Sequence, residues 1–282
     1  MVPSEFRADL HCHSNCSDGS DAPEELLRKA KGANLKCLSI TDHDTVQAYT
    51  PALFFVAESL GIELLPGIEI STELDGANVH ILGYCVSVDS PDLRTFLHTL
   101  HERRSERNRK ILANLVKQNM PITEEELMGL TSRSPSDPII GRPHIAALMV
   151  KKGYVSSFAE AFDRYLKEGG TCYVSGFKFT PSDAIGAIHK AGGKAVIAHP
   201  HFIKNNALIS KLLSLPFDGI ECYYSIFAGH YSTPWLKVGQ EKGWISTGGS
   251  DYHGSFTPQI NLGASWVGLD VVERLKSHGS AR

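Results

Sequence analysis

Seven short apolar runs recur along the chain: Phe6 to Leu10, Cys37 to Thr41, Ile62 to Leu65, Val79 to Tyr84, Lys194 to Ala198, Gly219 to Cys222 and Trp244 to Thr247. Most lack apolar–polar alternation and read as strands buried on both faces. Helical stretches with recognisable ends separate them. Asp21 can cap a helix over Ala22 to Lys31, with Glu24 three residues on; a second runs from Thr45 to Leu60 and stops at Gly61. Thr180 caps a third, opened by Pro181 and closed by Gly192 and Gly193. Strand alternating with helix predicts a parallel α/β fold. The middle breaks this rhythm: from about Pro91 to Leu166 only helices are predicted, over Asp92 to Gln118, Thr123 to Leu130, His144 to Lys151 and Ser157 to Leu166. We read residues 91–166 as a helical insertion, or lid, on a barrel-like body built from 1–90 and 167–282, with the Ser-Pro-rich stretch Thr131 to Pro138 as a mobile connector. There is no internal repeat.

A chain of 282 residues, 42% hydrophobic and 21% charged, can bury a full core without disulfides. Its six cysteines form no CxxC pair and fall mostly inside predicted strands, which suits reduced, buried thiols. The N-terminal stretch has no basic segment followed by an apolar run, and no segment approaches the roughly 18–20 apolar residues of a membrane span. A cytoplasmic protein without a membrane partner is expected. A net charge of −3 gives no global attraction to a polyanion, so a long nucleic-acid duplex is not the expected partner. The sequence does not fix an oligomeric state, though a monomer is favoured.

Polar residues gather where the predicted strands end. The first runs into Asp9-Leu10-His11-Cys12-His13 and then Ser17-Asp18-Gly19, the second into Thr41-Asp42-His43-Asp44, the fifth into His199-Pro200 and the last into Gly249-Ser250-Asp251-Tyr252-His253. In parallel α/β barrels the C-terminal strand ends share one face, where active sites sit. An H-x-H on extended backbone puts two imidazoles on one side, suited to ligating one ion. Imidazole with carboxylate favours zinc, manganese or iron, and the missing cysteine pair argues against a structural zinc. Glu69 follows a strand through Pro66-Gly67, and His80 lies in the next strand. A carboxylate such as Glu69 can bridge two ions, and such a site stabilises the attacking and leaving oxygens of a phosphoryl displacement. Each motif alone has a plainer reading: His80 as an ordinary strand histidine, Asp-His-Asp as a helix cap, Gly-Gly-Ser-Asp as a turn. Five of them together at strand ends favour the metal reading.

The predicted helix around residues 101–110 loses its apolar stripe between Leu100 and Ile111 and carries arginines instead. Arg104 and Arg107 are therefore candidates for contacting an anion in a cleft, against the plainer alternative of a solvated face with a Glu106–Lys110 pair. Lys178 and His201 are further candidates for substrate contact. His98, His189, His230 and His278 read as surface residues.

In order, these motifs resemble those of the polymerase and histidinol phosphatase (PHP) superfamily of metal-dependent phosphoesterases. The resemblance implies a distorted (β/α)7 barrel with up to three divalent ions on its C-terminal rim. It implies one ion on His11, His13, Glu69 and Asp251, a second on Glu69, His80 and His199, and a third on Asp18, His43 and His253. Manganese is the favoured metal, with zinc, iron or magnesium as alternatives. Asp18 stands where some members have histidine and resembles the TrpH-like branch of nucleotide phosphatases and 5′→3′ exoribonucleases. Gly141-Arg142-Pro143-His144 also resembles that branch and would bring Arg142 and His144 to a substrate phosphate, a guanidinium holding phosphate oxygens in a fork. Asp9 and Asp44 are candidates for orienting the ligand imidazoles. The expected reaction is hydrolysis by hydroxide formed on the ions, with metal-held water, His253 or His201 protonating the leaving oxygen. The expected substrate is a small phosphorylated one, a 3′,5′-bisphosphonucleotide or the 5′ end of a short RNA. Histidinol phosphate is the rival substrate, and a non-catalytic barrel scaffold the rival from another class.

Overall fold

Five consecutive buried residues, Ala8–Cys12, form β1, and burial on both faces explains the missing alternation. The computed structural model describes residues 6–130, 140–175, 179–227 and 229–277. β1 pairs in parallel with β2 (Cys37–Ile40), and β2 with the two-residue β3 (Glu63–Leu64). A second sheet runs in the order β4 (Gly67–Leu74), β5 (Ala77–Tyr84), β6 (Lys194–Ile197), β7 (Gly219–Tyr224) and β8 (Ile245–Gly249). The described residues thus hold eight strands, and β4 is the one absent from the sequence reading. There Pro66-Gly67 reads as a turn, yet Gly67 is already in the sheet. A side chain on it would meet Ser39 Oγ at 2.2 Å, so only glycine lets β4 lie so close.

The all-parallel expectation also needs correcting. In the second sheet β4 with β5 and β5 with β6 are antiparallel, and β6, β7 and β8 run parallel. The cause is local: Asp75 and Gly76 have φ of 51° and 82°, the backbone of a two-residue hairpin turn that sends β5 back along β4. The two sheets meet at two seams. At one, Asp44 N donates to Glu69 O at 2.8 Å and Glu69 N to Asp42 O at 3.2 Å; at the other, Asp251 N donates to His11 O at 2.7 Å and His13 N to Tyr252 O at 2.9 Å. Both seams lie where the sequence concentrates histidines and carboxylates.

The helices follow in chain order as α1 (Pro23–Gly32), α2 (Pro51–Leu60), α3 (Pro91–Lys117), α4 (Glu124–Leu130), α5 (Arg142–Lys151), α6 (Phe158–Ala161, continued by a wider π turn to Leu166), α7 (Pro181–Lys190), α8 (Asn206–Leu213), α9 (Thr233–Lys242) and α10 (Leu269–Lys276). α7 begins as expected, with a reciprocal cap between Thr180 and Asp183. α2 begins at Pro51 rather than Thr45, because a proline disfavours helical backbone in the residue before it; Thr50 caps Leu53 N instead. None of the described helices is long and apolar enough to cross a membrane. The expected connector Thr131 to Pro138 lies outside the described residues.

Core packing divides along α3. Leu93, Leu97 and Leu100 pack with β4–β7 and α7, whereas Ile111, Leu112 and Leu115 belong to a separate cluster closed by α4, α5, Tyr165, Leu166 and Cys172. Each buried leucine contributes about 1.5–3 kcal/mol, so both ends of the helix are firmly held.

Asp21 does not cap α1, whose cap position is Ala22. Its Oδ2 instead accepts from Lys29 Nζ at 2.6 Å and Tyr252 OH at 2.7 Å, tying α1 to the loop after β8. Burial pushes this carboxyl up, but Lys29 and Tyr252 outweigh it and leave it below its ordinary value. A depressed folded pKa means the stabilisation is complete above the unfolded pKa of about 3.9 and disappears as pH falls through the lower folded one. Asp21→Asn should therefore cost roughly 1 kcal/mol at pH 7, a modest value because Lys29 is solvent-screened. Thermal melts of the two proteins should converge near pH 2; a constant gap down to that pH would contradict the clamp.

Candidate metal centre and phosphate pocket

β1 supplies His11 and, one step past its end, His13, whose rings lie 5.3 Å apart on the same side of the extended segment. The turn after it brings Asp18 back beneath them. A side chain at Gly19 would meet His13 O at 2.2 Å, so that turn requires glycine. His43 follows β2, Glu69 and His80 lie on paired β4 and β5, His199 follows β6, and Asp251 and His253 follow β8. Asp44, His199 and Asp251 have φ of 58°, 26° and 54°. Backbone strain of about 1–3 kcal/mol at such positions is concentrated where the chain turns inward with its functional groups.

All nine side chains converge. Glu69, almost wholly buried, is the hub: its Oε1 is 2.9 Å from both His80 Nδ1 and His199 Nε2, and its Oε2 is 3.2, 3.3 and 3.4 Å from His13 Nε2, His43 Nδ1 and His11 Nε2. Asp251 Oδ1 lies 3.2 Å from His11 Nε2 and 3.1 Å from His13 Nε2. Asp18 lies 3.5–3.7 Å from His253 Nε2, His13 Nδ1 and His43 Nε2. Among the described residues three groups could each hold a metal ion: His11, His13, Glu69 and Asp251; His13, Asp18, His43 and His253; and His43, Glu69 and His80. The first matches an expected set outright. In the second His13 joins the expected three, and in the third His43 stands beside Glu69 and His80, with His199 on the same Glu69 oxygen.

The donor chemistry fits divalent cations. His13 Nδ1 and Nε2 and His43 Nδ1 are buried beside carboxylate oxygens at 3.1–3.6 Å without hydrogen-bond geometry to them, an arrangement in which a shared cation would satisfy both sides. Ligand bonds of about 2.0–2.2 Å keep donor atoms around one ion roughly 3–3.6 Å apart, and His11 Nε2 and His13 Nε2 stand 3.1–3.4 Å from the oxygens of Glu69 and Asp251. Tautomers are held for ligation as well. His253 Nδ1 is 2.9 Å from the Asp251 carbonyl, which can only accept, leaving Nε2 free toward Asp18. Burial works against charge on His11, but Glu221, Asp251 and Glu69 outweigh it and raise its pKa well above the ordinary value. Burial likewise opposes ionised Glu69, and His43, His80 and His11 hold it well below the carboxylate range. For His43 burial wins, pressing it well below the usual imidazole value.

Glu221 escaped the sequence reading. It is fully buried on β7; its Oε1 lies 2.9 Å from His11 Nδ1 and its Oε2 accepts from His199 N at 2.7 Å. The available signal was a lone carboxylate inside the apolar run Gly219 to Cys222, which burial tolerates only with partners. Tyr224 was also missed, and its hydroxyl donates to Asp251 Oδ2. The two carboxylates expected to orient imidazoles bond elsewhere. Asp9 accepts from the backbone N–H groups of His11, Ser250 and Gly263 at 3.2, 2.9 and 2.8 Å, because it sits beneath the β1–β8 seam. Asp44 accepts from Ser71 N at 2.7 Å and pairs with Arg104.

Above the rim, the polar gap of α3 faces inward. Arg104 pairs with Asp44 and donates to Ser71 Oγ at 3.0 Å, and Arg107 is 6% exposed with its Nε unpartnered. Burial, then the neighbouring guanidiniums of Arg107 and Arg142, lower Arg104 to about 9; burial and Arg142 lower Arg107 to about 10. His144 accepts from Gly141 N at 3.1 Å through Nδ1 and bonds the Ser17 carbonyl, joining α5 to the Asp18 turn. Arg142 donates to Leu166 O at 3.1 Å and shares a pocket of about 440 Å³ with His80, His199, Phe202, Lys204 and Asn205. His201 packs in an aromatic cluster, its ring stacked on Phe227 at 5.0 Å. His98 and His230 are exposed, His189 bonds Asp218 at 2.8 Å, and Lys178 and His278 lie outside the described residues.

Comparison with known proteins gives this arrangement a class. Residues 9–191 match the PHP domain family. The chain is 34% identical over 270 residues to the 5′-3′ exoribonuclease Rnm of Escherichia coli, spanning 93% of this chain and 90% of that one. It is 32% identical over 255 residues to the 3′,5′-nucleoside bisphosphate phosphatase of Chromobacterium violaceum, spanning 87% and 86%. A solved Bifidobacterium adolescentis protein described as a metal-dependent phosphoesterase superposes with a TM-score of 0.87 at 25% identity, over 99% of this chain and 98% of that one. The chain belongs to the PHP domain family. Membership and rim together make it a metal-dependent phosphoesterase.

Proposed function

We propose that the protein hydrolyses a phosphate ester of a nucleotide, either a 3′,5′-bisphosphonucleotide or the 5′-phosphorylated end of a short RNA. The observation that carries this reading is the pocket in which Arg142 and Lys204 stand beside His80 and His199. At about 440 Å³ it is large enough for a nucleotide, and its lining joins two cations and one carboxylate, Glu168, to two histidines of the metal-capable rim.

In this reading His11, His13, Glu69 and Asp251 hold one divalent ion, Glu69, His80 and His199 a second, and Asp18, His43 and His253 a third, with manganese favoured. Bound ions lower the pKa of water and neutralise charge that develops on the phosphoryl oxygens. The protein's own groups do the rest. Glu221 keeps His11 turned with Nε2 inward, and Tyr224 restrains Asp251. Arg142, with Arg107 near it and Arg104 held on Asp44, draws in and orients a second phosphate, since a buried guanidinium with an N–H still unbonded gains a fork of hydrogen bonds from an anion. We also infer that the seams at Glu69 and Asp251 close the two sheets into a distorted barrel, and that residues 91–166 act as its lid.

The test is phosphate or nucleotide release from 3′,5′-bisphosphoadenosine, a 5′-phosphorylated RNA trimer and histidinol phosphate, with added manganese or with chelator. Turnover of a nucleotide substrate that needs manganese and disappears in His11→Ala is the expected result. Turnover of histidinol phosphate alone would replace the nucleotide reading. Inactivity on all three by protein with bound metal would overturn it.

A further inference from the structure

Beside His199 the surface carries a run of aromatic rings that the chemistry at the rim does not use. The ring of Phe202 stands 5.7 Å from that of His199, edge to face. Phe227 follows at 5.3 Å from Phe202, and Tyr231 at 5.4 Å from Phe227. Single exposed aromatic residues are ordinary on a protein surface. Here Phe202 is 49% and Tyr231 51% exposed, and Ile226, next to Phe227 in the chain, is 50% exposed. The underside of the run is fixed: Tyr224 packs against both Phe202 and Phe227, and His201 stacks on Phe227. Rigid backing with open outer faces is what a stacking platform requires, because little conformational freedom is then lost on binding.

We propose that this run is a base-stacking track that takes nucleobases beyond the reacting phosphate, so that the preferred substrate is a short single-stranded oligonucleotide rather than a mononucleotide. The proposal deepens the nucleotide reading above and rests on it. Three observations favour nucleobases over another apolar partner. The track starts at a histidine of the metal-capable rim, which puts its first ring within one nucleotide's reach of a phosphate held there. Phe202 also lines the pocket with Arg142, Lys204 and Glu168, so the first ring of the run stands in the same pocket as two cations. Aromatic faces beside cations suit single-stranded nucleic acid, in which every base offers a π-face and every linkage a charge. Because stacking ignores base identity, the track predicts a preference for length without a preference for sequence.

The experiment compares kcat/KM for 5′-phosphorylated dimers and pentamers, and for a pentamer with abasic sugars after its first nucleotide, using the full-length metal-loaded protein. Phe202→Ala, Tyr231→Ala, the double variant and Tyr231→Phe are run beside it. The pentamer should be favoured over the dimer, and that ratio should fall about tenfold in the double variant. Tyr231→Phe should keep the ratio, and the abasic pentamer, with charge but no bases, should behave like the dimer. Fluorescence anisotropy of a labelled pentamer on His11→Ala protein reads the same track without turnover. If no nucleotide of any length is hydrolysed, the proposed function fails, and the anisotropy series still tests the track. An unchanged ratio in the double variant, or an abasic pentamer as good as the natural one, overturns the track. So does a protein that is dimeric in solution and that Tyr231→Ala dissociates without altering the ratio, because the rings would then be a contact between two copies.

Discussion

Glu69→Gln should lower kcat/KM on the proposed nucleotide substrate by about three orders of magnitude or more and reduce the bound divalent metal per chain. The side chain has both oxygens in use, Oε1 toward His80 and His199 and Oε2 toward His11, His13 and His43. Glutamine keeps the volume but offers one oxygen and an amide that cannot ligate, so at least one of those faces loses its anion. Multi-ion sites supply several kcal/mol of transition-state stabilisation, and each 1.4 kcal/mol is tenfold in rate. Elemental analysis of the purified variant, with kinetics across a manganese titration, reads both effects. Full metal content with unchanged kcat would remove Glu69 from the centre of the site. The near-isosteric change keeps the strand pairing of β4 with β5, and circular dichroism checks that it does.

The second large effect is expected at Glu221→Gln, at a residue that belongs to none of the metal-capable groups. His11 Nδ1 meets its Oε1 at 2.9 Å, and the backbone N–H of His199 donates to its Oε2 at 2.7 Å. One carboxylate therefore fixes a ring orientation on β1 and a strained backbone after β6. Outer partners of this kind are worth about 10–100-fold in metal affinity or activity. Glu221→Gln should weaken manganese binding by that factor, so that added metal restores much of the rate. Glu221→Ala should restore less, because it leaves His199 N unbonded inside the protein, at a cost of about 1–3 kcal/mol. Equal rates for Glu221→Gln and the unmodified protein at limiting manganese would show that His11 needs no such partner.

These two residues mark how far the sequence could be read. Glu69 was legible because it stands among motifs whose spacing has a chemical reason: period-two alternation in His11 and His13, and carboxylates beside histidines at strand ends. The same reasoning reached His43, His80, His199, Asp18, Asp251 and His253, and all of them meet within hydrogen-bond or ion-pair distance. Glu221 was not legible, because a single carboxylate in an apolar strand declares neither its partner nor its depth. Asp9 and Asp44 were given the role that Glu221 holds, since proximity in sequence to His11 and His43 cannot say whether a carboxylate turns toward a ring or toward the backbone of a seam. β4 was hidden by Pro66-Gly67, a pair that marks a turn unless a neighbouring strand needs the space that glycine leaves. The antiparallel hairpin followed from Asp75-Gly76, whose backbone reverses direction whatever the helices around it suggest.

α3 is one uninterrupted helix of 27 residues, roughly 40 Å long, rooted in the body at Leu93 to Leu100 and in the helical cluster at Ile111 to Leu115. The two parts are joined by a girder rather than by a hinge. The proposed lid, mounted this way, could not be cut out at its loop boundaries, because the cut that frees the helical cluster runs through the turns bearing Arg104 and Arg107. Any swing of that cluster would have to bend the same stretch and carry the arginines with it.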